Sequence, residues 1–303
     1  MPTESHETAA ALAQTASVFA GVRPRLFGLA YRMLGSKAEA EDIVQEVWLR
    51  WQTYDRATVL DPAAFLATTT MRLAINAAQS ARARRETYIG PWLPEPVDTR
   101  ADPELGAERG QALELAVLFL LEKLSATERA AYVLREAFDY SYLQIADVLD
   151  LREAGARQLV SRARKHIADE RRAPVSPSEQ RRLLGAFLGA AQAGDVAALE
   201  SLFAADVASY GDGGGLAGVA RVPVIGRARI AKFVASFPSK FWGGAVFTWV
   251  EANGGPAILL SRDGKAFGLL TIVASDQGID QLLWVMNPAK LEDISSALHT
   301  AER

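Results

Sequence analysis

The stretch from Tyr88 to Gly110, YIGPWLPEPVDTRADPELGAERG, constrains the fold more than any other part of the chain. Prolines at positions 91, 94, 96 and 103 remove backbone donors and fix φ, so no helix can pass through it. A flexible spacer would be rich in glycine and serine, whereas this one carries Trp92. The sequence therefore predicts two helical blocks separated by a stiff linker with an apolar tip.

Composition excludes several classes of protein. The 303 residues suffice for two or three domains, and half are apolar, so each domain can bury a core. Cysteine is absent and the three histidines lie far apart in sequence, so we expect no disulfide framework, no metal site and no cofactor. No apolar run is long enough for a membrane helix, and the N-terminus lacks the pattern of a signal peptide. We expect a soluble cytoplasmic protein.

The distribution of charge favours contact with phosphates, although the net charge of −3 argues against it. Residues 71–85 carry four arginines and no acidic residue, and residues 152–176 carry seven basic and three acidic residues. Local basic clusters of this kind form an electrostatic footprint for nucleic acid. Solvated helix faces explain each cluster equally well when it is taken alone.

The first helical block, residues 17–87, contains two helices with clear start signals. Ser36 and Glu39 form a capping-box pattern, and Asp61 followed by Pro62 begins a helix that we expect to end near Arg85. Amide and guanidinium groups share one face of this second helix, and an arginine cluster closes it, as base contacts and phosphate anchoring require. Arginines at a helix C-terminus also complement the helix dipole, which is the structural alternative.

The second helical block, residues 109–172, has the pattern of a helix-turn-helix. Ser125 with Glu128, and Ser141 with Gln144, are capping-box patterns. A turn at Leu151 separates the short second helix from a helix with one apolar stripe and a basic outer face, suited to a major groove. The stripe consists of Ala156, Leu159, Val160, Ala163 and Ile167. A helical hairpin without a DNA role is the alternative.

Both blocks resemble parts of an RNA polymerase sigma factor. AEDIVQEVWLRW followed by DPAAFLATTTMRLAI resembles sigma region 2, and LSATERAAYVLREAFDYSYLQIADVLDL followed by ARQLVSRARKHI resembles region 4. Over roughly residues 17–172 the chain resembles the extracytoplasmic-function (ECF) sigma factors, which lack regions 1 and 3. The resemblance implies two all-α domains that bind core RNA polymerase and promoter DNA and direct promoter-specific initiation of transcription.

The resemblance also implies roles for matched positions. The residues facing core polymerase would be Asp42, Gln45, Glu46 and Leu49. The residues at the promoter −10 element would be Arg72, Asn76, Gln79, Arg82, Arg84 and Arg85. The residues at the −35 element would be Arg157, Gln158, Ser161, Arg162, Arg164 and Lys165. The chain departs from the family at Asp150, where the turn is usually glycine, and at Arg152, where a serine or threonine cap is usual.

The third block, residues 177–303, predicts an α+β domain. SEQRRLLGAFLGAAQAGDVAALESLFAADV predicts two helices broken at Gly194 and Asp195. The apolar runs 245–251, 256–261, 266–274 and 279–286, separated by NGG, RDGK and SDQG, predict antiparallel hairpins. Helices followed by a meandering sheet resemble the SnoaL-like fold, a curved sheet packed against helices around a conical pocket.

Polar groups that could serve this pocket show no base–partner pair in the sequence. They are Tyr210, Asp212, Glu251, Arg262 and Asp276. A carboxylate in an apolar pocket can act as a base, but we expect no enzyme activity here. A small-molecule ligand in the C-terminal pocket and a purely regulatory role are both open.

Three motifs resemble the ECF subgroup that carries a fused SnoaL-like domain: WLPEP, DGGG and NPAKL. This resemblance covers nearly the whole chain, and in the subgroup the fused domain is thought to do the work of a separate anti-sigma factor, which would then not be required. It implies interdomain regulation by Trp92, Leu93, Pro94, Glu95, Pro96, Asp212, Gly213, Gly214, Gly215, Asn287, Pro288, Lys290 and Leu291.

The predicted organisation is therefore sigma region 2 at 17–87, a linker at 88–108, a region 4 helix-turn-helix at 109–172 and a SnoaL-like domain at 177–303. We hypothesise that the C-terminal domain binds the linker through Trp92 and Leu93 and thereby controls the spacing of the two DNA-binding blocks. One alternative is a DNA-binding regulator that uses a small-molecule pocket and no polymerase. The other is a SnoaL-like enzyme tethered to DNA.

Overall fold

The computed structural model describes residues 3–99, 114–237 and 239–295, which form two compact units. The first unit contains residues 3–83 and 121–165, and the second contains residues 84–99, 114–120 and the described chain from 166 onward. The described part of the predicted linker therefore belongs to the same unit as the C-terminal domain. The predicted linker end at 108 and region 4 start at 109 lie outside the described residues. No helix within the described ranges is long and apolar enough to span a bilayer.

The two helical blocks fold as helices joined by short turns. In chain order the helices are α1 (Thr3–Leu34), α2 (Lys37–Thr53), α3 (Pro62–Glu86), α4 (Leu115–Leu121), α5 (Ala126–Glu136), α6 (Tyr142–Leu149) and α7 (Glu153–Glu170), with a 3-10 turn at Arg56–Thr58. α1 begins well before residue 17, where the sequence pattern places the start of the block.

Local side-chain caps begin the helices at the predicted positions. The Ser36 hydroxyl accepts a hydrogen bond from the backbone N–H three residues on, at 3.4 Å, and the Asp61 carboxylate does the same for α3 at 3.0 Å. Ser125 and Ser141 form complete capping boxes. These predictions are confirmed. Helix caps can be predicted from sequence because capping depends on residues only a few positions apart.

The turn between α6 and α7 needs no glycine. Asp150 adopts the left-handed conformation, φ 55° and ψ 54°, and its N–H bonds the Ala146 carbonyl. Aspartate tolerates this conformation better than most residues. α7 then begins at Glu153, so the helix-turn-helix is intact although the usual glycine is missing.

A buried arginine joins the two helical blocks inside the first unit. Arg129 on α5 is 4% exposed, and its guanidinium donates to the Met33 carbonyl at 2.6 Å and to the Leu121 carbonyl at 2.9 Å. Glu122 neutralises its charge at 2.7 Å. Met33 lies in the last turn of α1, whose carbonyls have no partner within the helix. The arginine therefore satisfies a helix end while it packs the second helical block on the first.

The second unit is built on a six-stranded sheet among its described residues. Its helices are α8 (Pro177–Ala193), α9 (Val196–Leu202), α10 (Arg227–Ala235) and α11 (Ser239–Trp242). Its strands are β1 (Phe203–Asp212), β2 (Val224–Ile225), β3 (Val246–Ala252), β4 (Gly255–Arg262), β5 (Lys265–Ser275) and β6 (Gly278–Val285), followed by a 3-10 turn at Pro288–Lys290. The order across the sheet is β2-β1-β6-β5-β4-β3, and β1 is parallel to β6 while the other pairs are antiparallel.

The predicted hairpins are confirmed. Asn253 and Gly254 take φ of 55° and 73°, and Asp263 and Gly264 take φ of 50° and 72°. Positive φ at both central residues is the signature of the two-residue turn whose twist matches that of the strands.

The predicted helix through Val207 is wrong at its end. α9 ends at Leu202, and Phe203 begins the long strand β1. Phe203 and Val207 are both buried, a spacing that fits either a helix or a strand. Pairing with β6, more than 70 residues away, decides for the strand, and no local pattern reports that partner.

Both faces of the sheet are covered. The inner face packs against α8, α9 and α10 through Leu184, Phe187 and Ile230 among others. The outer face packs against Leu93 of the linker, Leu115 of α4, and the C-terminal segment. This explains why the strands are continuous apolar runs, since an antiparallel sheet with one wet face would alternate.

Gly278 is a site where the fold tolerates no side chain. It has φ of 107°, and a Cβ added there would lie 2.5 Å from the Leu202 carbonyl oxygen. Gly254 is a matched control, because it has φ of 73° but open space around the added atom. We expect Gly254→Ala to lower the free energy of unfolding by about 1–2 kcal/mol and Gly278→Ala to lower it by roughly 3–4 kcal/mol. Urea unfolding would measure both, and equal losses would contradict the steric account.

Candidate functional site

Asp212 is the centre of a site that binds the linker. It is the last residue of β1, and its side chain is fully buried. Its carboxylate accepts hydrogen bonds from the Leu93 N–H at 2.9 Å, the Tyr88 hydroxyl at 2.5 Å and the Lys290 ammonium at 2.6 Å. Lys290 also donates to the Leu93 carbonyl at 2.5 Å. Both backbone polar groups of Leu93 are thus bonded to one buried ion pair, which satisfies the chain where it enters the core.

The strand and the following turn place these groups. Alternate residues of β1 face opposite sides of the sheet, so Asp212 points to the outer face, where the linker lies, while Gly211 faces the inner side. The Asp212 carbonyl accepts from the Met286 N–H at 2.7 Å, which aligns the end of β1 with the chain leaving β6. Asn287 caps the 3-10 turn that carries Lys290, and its amide donates to the Tyr88 hydroxyl at 3.0 Å.

Two neighbouring linker side chains anchor the site in different ways. Leu93 is 0% exposed within the apolar cluster of the outer face, next to Leu291. Trp92 is half-buried, with the Arg85 guanidinium 3.4 Å and the Lys290 ammonium 4.1 Å from its ring centroid. A cation over an indole face is a favourable contact, so Trp92 also helps to accommodate the charge of Lys290.

The glycines after Asp212 allow a close approach of backbone. A Cβ at Gly213 would lie 2.7 Å from the Val219 side chain, and one at Gly214 would lie 2.8 Å from the Asn287 amide. Gly214 also has φ of 59°. Any larger residue would push the loop away from Asn287 and from the linker.

A second set of contacts extends the site along the edge strand β3. The Val97 N–H donates to the Asn253 side chain at 3.2 Å, and the Asn253 N–H donates to the Val97 carbonyl at 2.9 Å. Asp98 forms an antiparallel bridge with Ala252. Sequence analysis missed Asn253 in this role, because Asn-Gly between apolar runs indicates only a hairpin turn.

Thr99 and Glu251 continue this set. The Thr99 hydroxyl donates to Glu251 at 2.8 Å and accepts from the Gly254 N–H at 3.2 Å. The linker therefore caps an exposed strand edge, which would otherwise be open to pairing with another chain.

Burial sets the electrostatics of the site. Desolvation lowers the pKa of Lys290, while the adjacent Asp212 carboxylate opposes that shift. Desolvation, reinforced by the hydrogen bond to Asp212, raises the pKa of Tyr88 well above its usual value. These groups bond to one another and to backbone, an arrangement that binds chain and offers no exposed acid or base for catalysis.

The candidate pocket groups do not converge. Tyr210 faces the outer side and packs against Phe119, with ring centroids 4.9 Å apart. Glu251 bonds to Thr99, and Asp276 is exposed in a turn. Of the five, Arg262 is the one that lines the cavity on the inner face.

The outer face of α7 is exposed along its basic side. All the residues predicted at the −35 element are exposed, and all those of the predicted apolar stripe are buried. Three of the arginines form surface ion pairs, Arg157 with Glu153, Arg162 with Glu128, and Arg164 with Glu136. Such pairs contribute about 0–1 kcal/mol, so DNA phosphates could replace the acidic partners at low cost. The −35 assignment stays a prediction.

The residues predicted at the −10 element have different surroundings. Asn76, Gln79, Arg82 and Arg84 are exposed, and Arg85 stacks on Trp92. Arg72 donates to the Val148 carbonyl at 3.1 Å and to the Asp147 carbonyl at 3.4 Å, at the C-terminal end of α6. Arg72 of the first helical block is thus bonded to the second helical block in this arrangement.

The predicted polymerase-facing residues of α2 form an accessible surface. Asp42 and Gln45 are exposed, and Leu49 is 51% exposed. Glu46 is half-buried and pairs with Arg50 at 2.8 Å. An exposed leucine among acidic and amide groups is suited to a protein interface, but the assignment stays a prediction.

Comparison with known proteins matches both helical blocks to sigma-factor families. Residues 18–84 match the family model for sigma-70 region 2, and residues 114–167 match that for sigma-70 region 4. The ECF RNA polymerase sigma factor SigJ of Mycobacterium tuberculosis is 38% identical over 234 residues, covering 75% of this chain and 74% of SigJ. The probable ECF RNA polymerase sigma factor SigI of the same species is 29% identical over 282 residues, covering 91% of this chain and 94% of SigI.

A solved structure matches nearly the whole chain. The crystal structure of M. tuberculosis extracytoplasmic function sigma factor SigJ aligns with a TM-score of 0.73 and 32% identity, covering 92% of this chain and 98% of that one. The predicted fold class, two helical sigma domains followed by an α+β SnoaL-like domain, is confirmed.

The raised pKa of Tyr88 predicts a pH-dependent contribution to stability. A group whose pKa is higher in the folded state contributes stability that is complete below its unfolded value, here near 10.0, and is lost as pH rises above it. We expect wild type to be more stable than Tyr88→Phe by a constant amount from about pH 8 to pH 10, with the difference shrinking toward about pH 11. Urea unfolding of both proteins across this range would measure it. A difference independent of pH would show that neither burial nor the bond to Asp212 raises the pKa of Tyr88.

Proposed function

The chain belongs to the ECF family of RNA polymerase sigma factors, and we propose that its C-terminal domain restrains the two sigma regions by binding the linker between them. As a member of that family, it is a transcription initiation factor that acts through core RNA polymerase and promoter DNA. We further propose that it acts in the cytoplasm, catalyses no reaction, and requires no separate anti-sigma factor.

The observation that carries this proposal is the buried ion pair of Asp212 and Lys290 bonded to the Leu93 backbone. The linker connects α3 of region 2 to α4 at the start of region 4. With Leu93 in the core of the C-terminal domain, the described part of the linker, residues 88–99, is held against the sheet and cannot extend. A bound linker therefore limits how far regions 2 and 4 can separate, whereas a released one does not.

The first unit supplies the restrained state. Arg129 of region 4 bonds the end of α1 in region 2, and Arg72 of region 2 bonds the end of α6 in region 4. While Arg72 is bonded to α6 it is not available for the −10 element that the family resemblance assigns to it. We infer that initiation requires these contacts to open, and that linker binding shifts the equilibrium toward the closed state by its differential free energy.

Point variants test this proposal better than truncation. Removing the chain after residue 176 would also remove the sheet on which Leu93 and Leu115 pack, leaving their apolar surfaces exposed. Loss of activity in such a fragment would then reflect misfolding as readily as function. Variants at the linker site leave both sigma regions unchanged in sequence.

We expect Asp212→Asn to raise promoter-specific transcription in vitro with bacterial core polymerase by at least about tenfold. It leaves Lys290 buried without its counter-charge, and breaking a buried pair costs on the order of 3–5 kcal/mol. Trp92→Ala removes a half-buried anchor and should also raise transcription. We expect it to weaken linker binding by about 2 kcal/mol, which is roughly thirtyfold in the equilibrium constant between the bound and released linker. Asp276→Asn, an exposed turn carboxylate of the same domain, is the matched control and should leave transcription unchanged.

The outcomes separate the alternatives. Unchanged transcription in both linker variants would reject cis control, and a decrease with normal thermal melting would mean that the bound linker is required rather than inhibitory. Tight promoter binding without polymerase, together with no initiation by any variant, would reject the sigma-factor mechanism in favour of a polymerase-independent regulator.

The basic face of α7 predicts salt-dependent promoter binding. Lys165 is exposed on this face, and Lys232 is an exposed lysine on α10 of the other unit. With polymerase holoenzyme, we expect Lys165→Ala to reduce the slope of log binding constant against log salt by about one. Lys232→Ala should leave the slope unchanged. Equal slopes for both variants would remove Lys165 from the DNA interface.

A further inference from the structure

The second unit contains a cavity of about 550 Å³ on the inner face of its sheet. Small-molecule sites in proteins commonly measure about 300–1,000 Å³. The large side chains that line the cavity come from α10, the turn after it, α11, β6 and the chain beyond β6: Phe233, Phe237, Phe241, Trp284 and Met286. The volume and the apolar wall are those of a ligand site rather than of a packing defect, which would be far smaller.

The aromatic wall favours a planar ring system. Phe237 meets Phe233 at 5.1 Å and Phe241 at 4.9 Å between centroids, and both ring pairs are steeply inclined. Trp284 lies 6.2 Å from Phe237, also inclined. Inclined rings around a cavity present both edges and faces, which suits stacking and edge contacts with a flat aromatic ligand.

The charge that borders this apolar wall is positive. Among the described residues that line the cavity, Arg262 is the one with an ionisable side chain, and Ser209 adds a hydroxyl. Arg262 reaches the cavity because it follows Ile258 and Leu260 on the inner side of β4, and its guanidinium is positioned by the Phe241 carbonyl at 2.7 Å. A positioned guanidinium recognises carboxylate or sulfonate oxygens. Without a lining carboxylate or imidazole, these residues provide no general base.

We propose that the cavity binds a planar aromatic acid, with its rings between the phenylalanines and Trp284 and its acidic group on Arg262. The site would bind this ligand and release it unchanged. Ligand binding and the coupling described next are independent of the cis control proposed above, whereas an effect of the ligand on transcription rests on it.

The cavity and the linker site share one loop. Val219 lines the cavity, and its side chain occupies the space that a Cβ on Gly211 or Gly213, on either side of Asp212, would need. Gly90 of the linker lies against the backbone of Arg221 in the same loop. A ligand packed on Val219 stabilises the loop conformation in which Asp212 binds Leu93, because it binds that conformation and not the opened one. The aromatic acid should therefore strengthen linker binding.

Two fluorescent probes of the same shape test the binding site on the full-length protein. Anilinonaphthalene sulfonate carries an acidic group, and N-phenylnaphthylamine has the same rings without it. We expect saturable binding of both to wild type, with Arg262→Gln weakening the sulfonate by at least about tenfold and leaving the neutral probe unchanged. Ala217→Trp, at an exposed lining position, should block both probes while keeping Arg262.

Each result of the probe experiment decides one part of the proposal. Equal effects of Arg262→Gln on the two probes, with normal thermal melting, would overturn recognition of the acid. If neither probe showed saturable binding, or if Ala217→Trp bound both normally, the cavity would not be the site.

Hydrogen exchange tests the coupling separately. The Leu93 N–H exchanges only when its bond to Asp212 opens. Saturating sulfonate probe should slow exchange in the peptide containing Leu93 by several-fold in wild type and not in Ala217→Trp. Binding without slower exchange would overturn the coupling and leave the ligand site standing, and neither result depends on whether linker binding controls transcription.

Discussion

The ion pair between Asp212 and Lys290 is the interaction on which the rest of the second unit depends. Burying two charges is expensive, and attraction alone seldom offsets the cost. Here the carboxylate accepts three hydrogen bonds, and the ammonium also bonds the Leu93 carbonyl and lies over the Trp92 ring. Apart from the two charged groups themselves, all of these partners belong to the linker. The charges of Asp212 and Lys290 are therefore satisfied only when the linker is in place. The proposed cis control rests on this dependence of the core on the bound linker.

The sheet carries the linker site on one face and the cavity on the other. The outer face packs on the linker and α4, and the inner face packs on helices and borders the cavity. Alternation along β1 sends Asp212 to one side and Gly211 to the other, and the glycine loop that follows touches both. A Cβ added at Gly211 or Gly213 would meet Val219, which lines the cavity, and this shared loop is the geometric basis of the coupling proposed above.

The two sigma regions are also joined by charged side chains that bond to backbone groups, but these contacts are weaker. Arg129 and Arg72 each satisfy carbonyls at the end of a helix from the other region. Arg129 is buried with its counter-charge, whereas Arg72 is exposed and makes the longer contacts. The proposed opening of the first unit requires these contacts to be exchanged for contacts with polymerase and DNA. The surface ion pairs of α7 are suited to the same exchange.

Local chemistry in the sequence determined the helix starts at Ser36, Asp61, Ser125 and Ser141, the hairpin turns of the sheet and the buried stripe of α7, because each depends on residues a few positions apart. The resemblance of three short motifs to one sigma-factor subgroup pointed to Leu93, Asp212 and Lys290 together, but no local pattern joins residues 119 and 197 positions apart. Only the tertiary structure made β1 a strand, bonded Asn253 to Val97, attached Arg72 to α6 and left Arg262 facing a cavity. Those outcomes depend on long-range pairing and burial, whose energies arise only when distant segments meet.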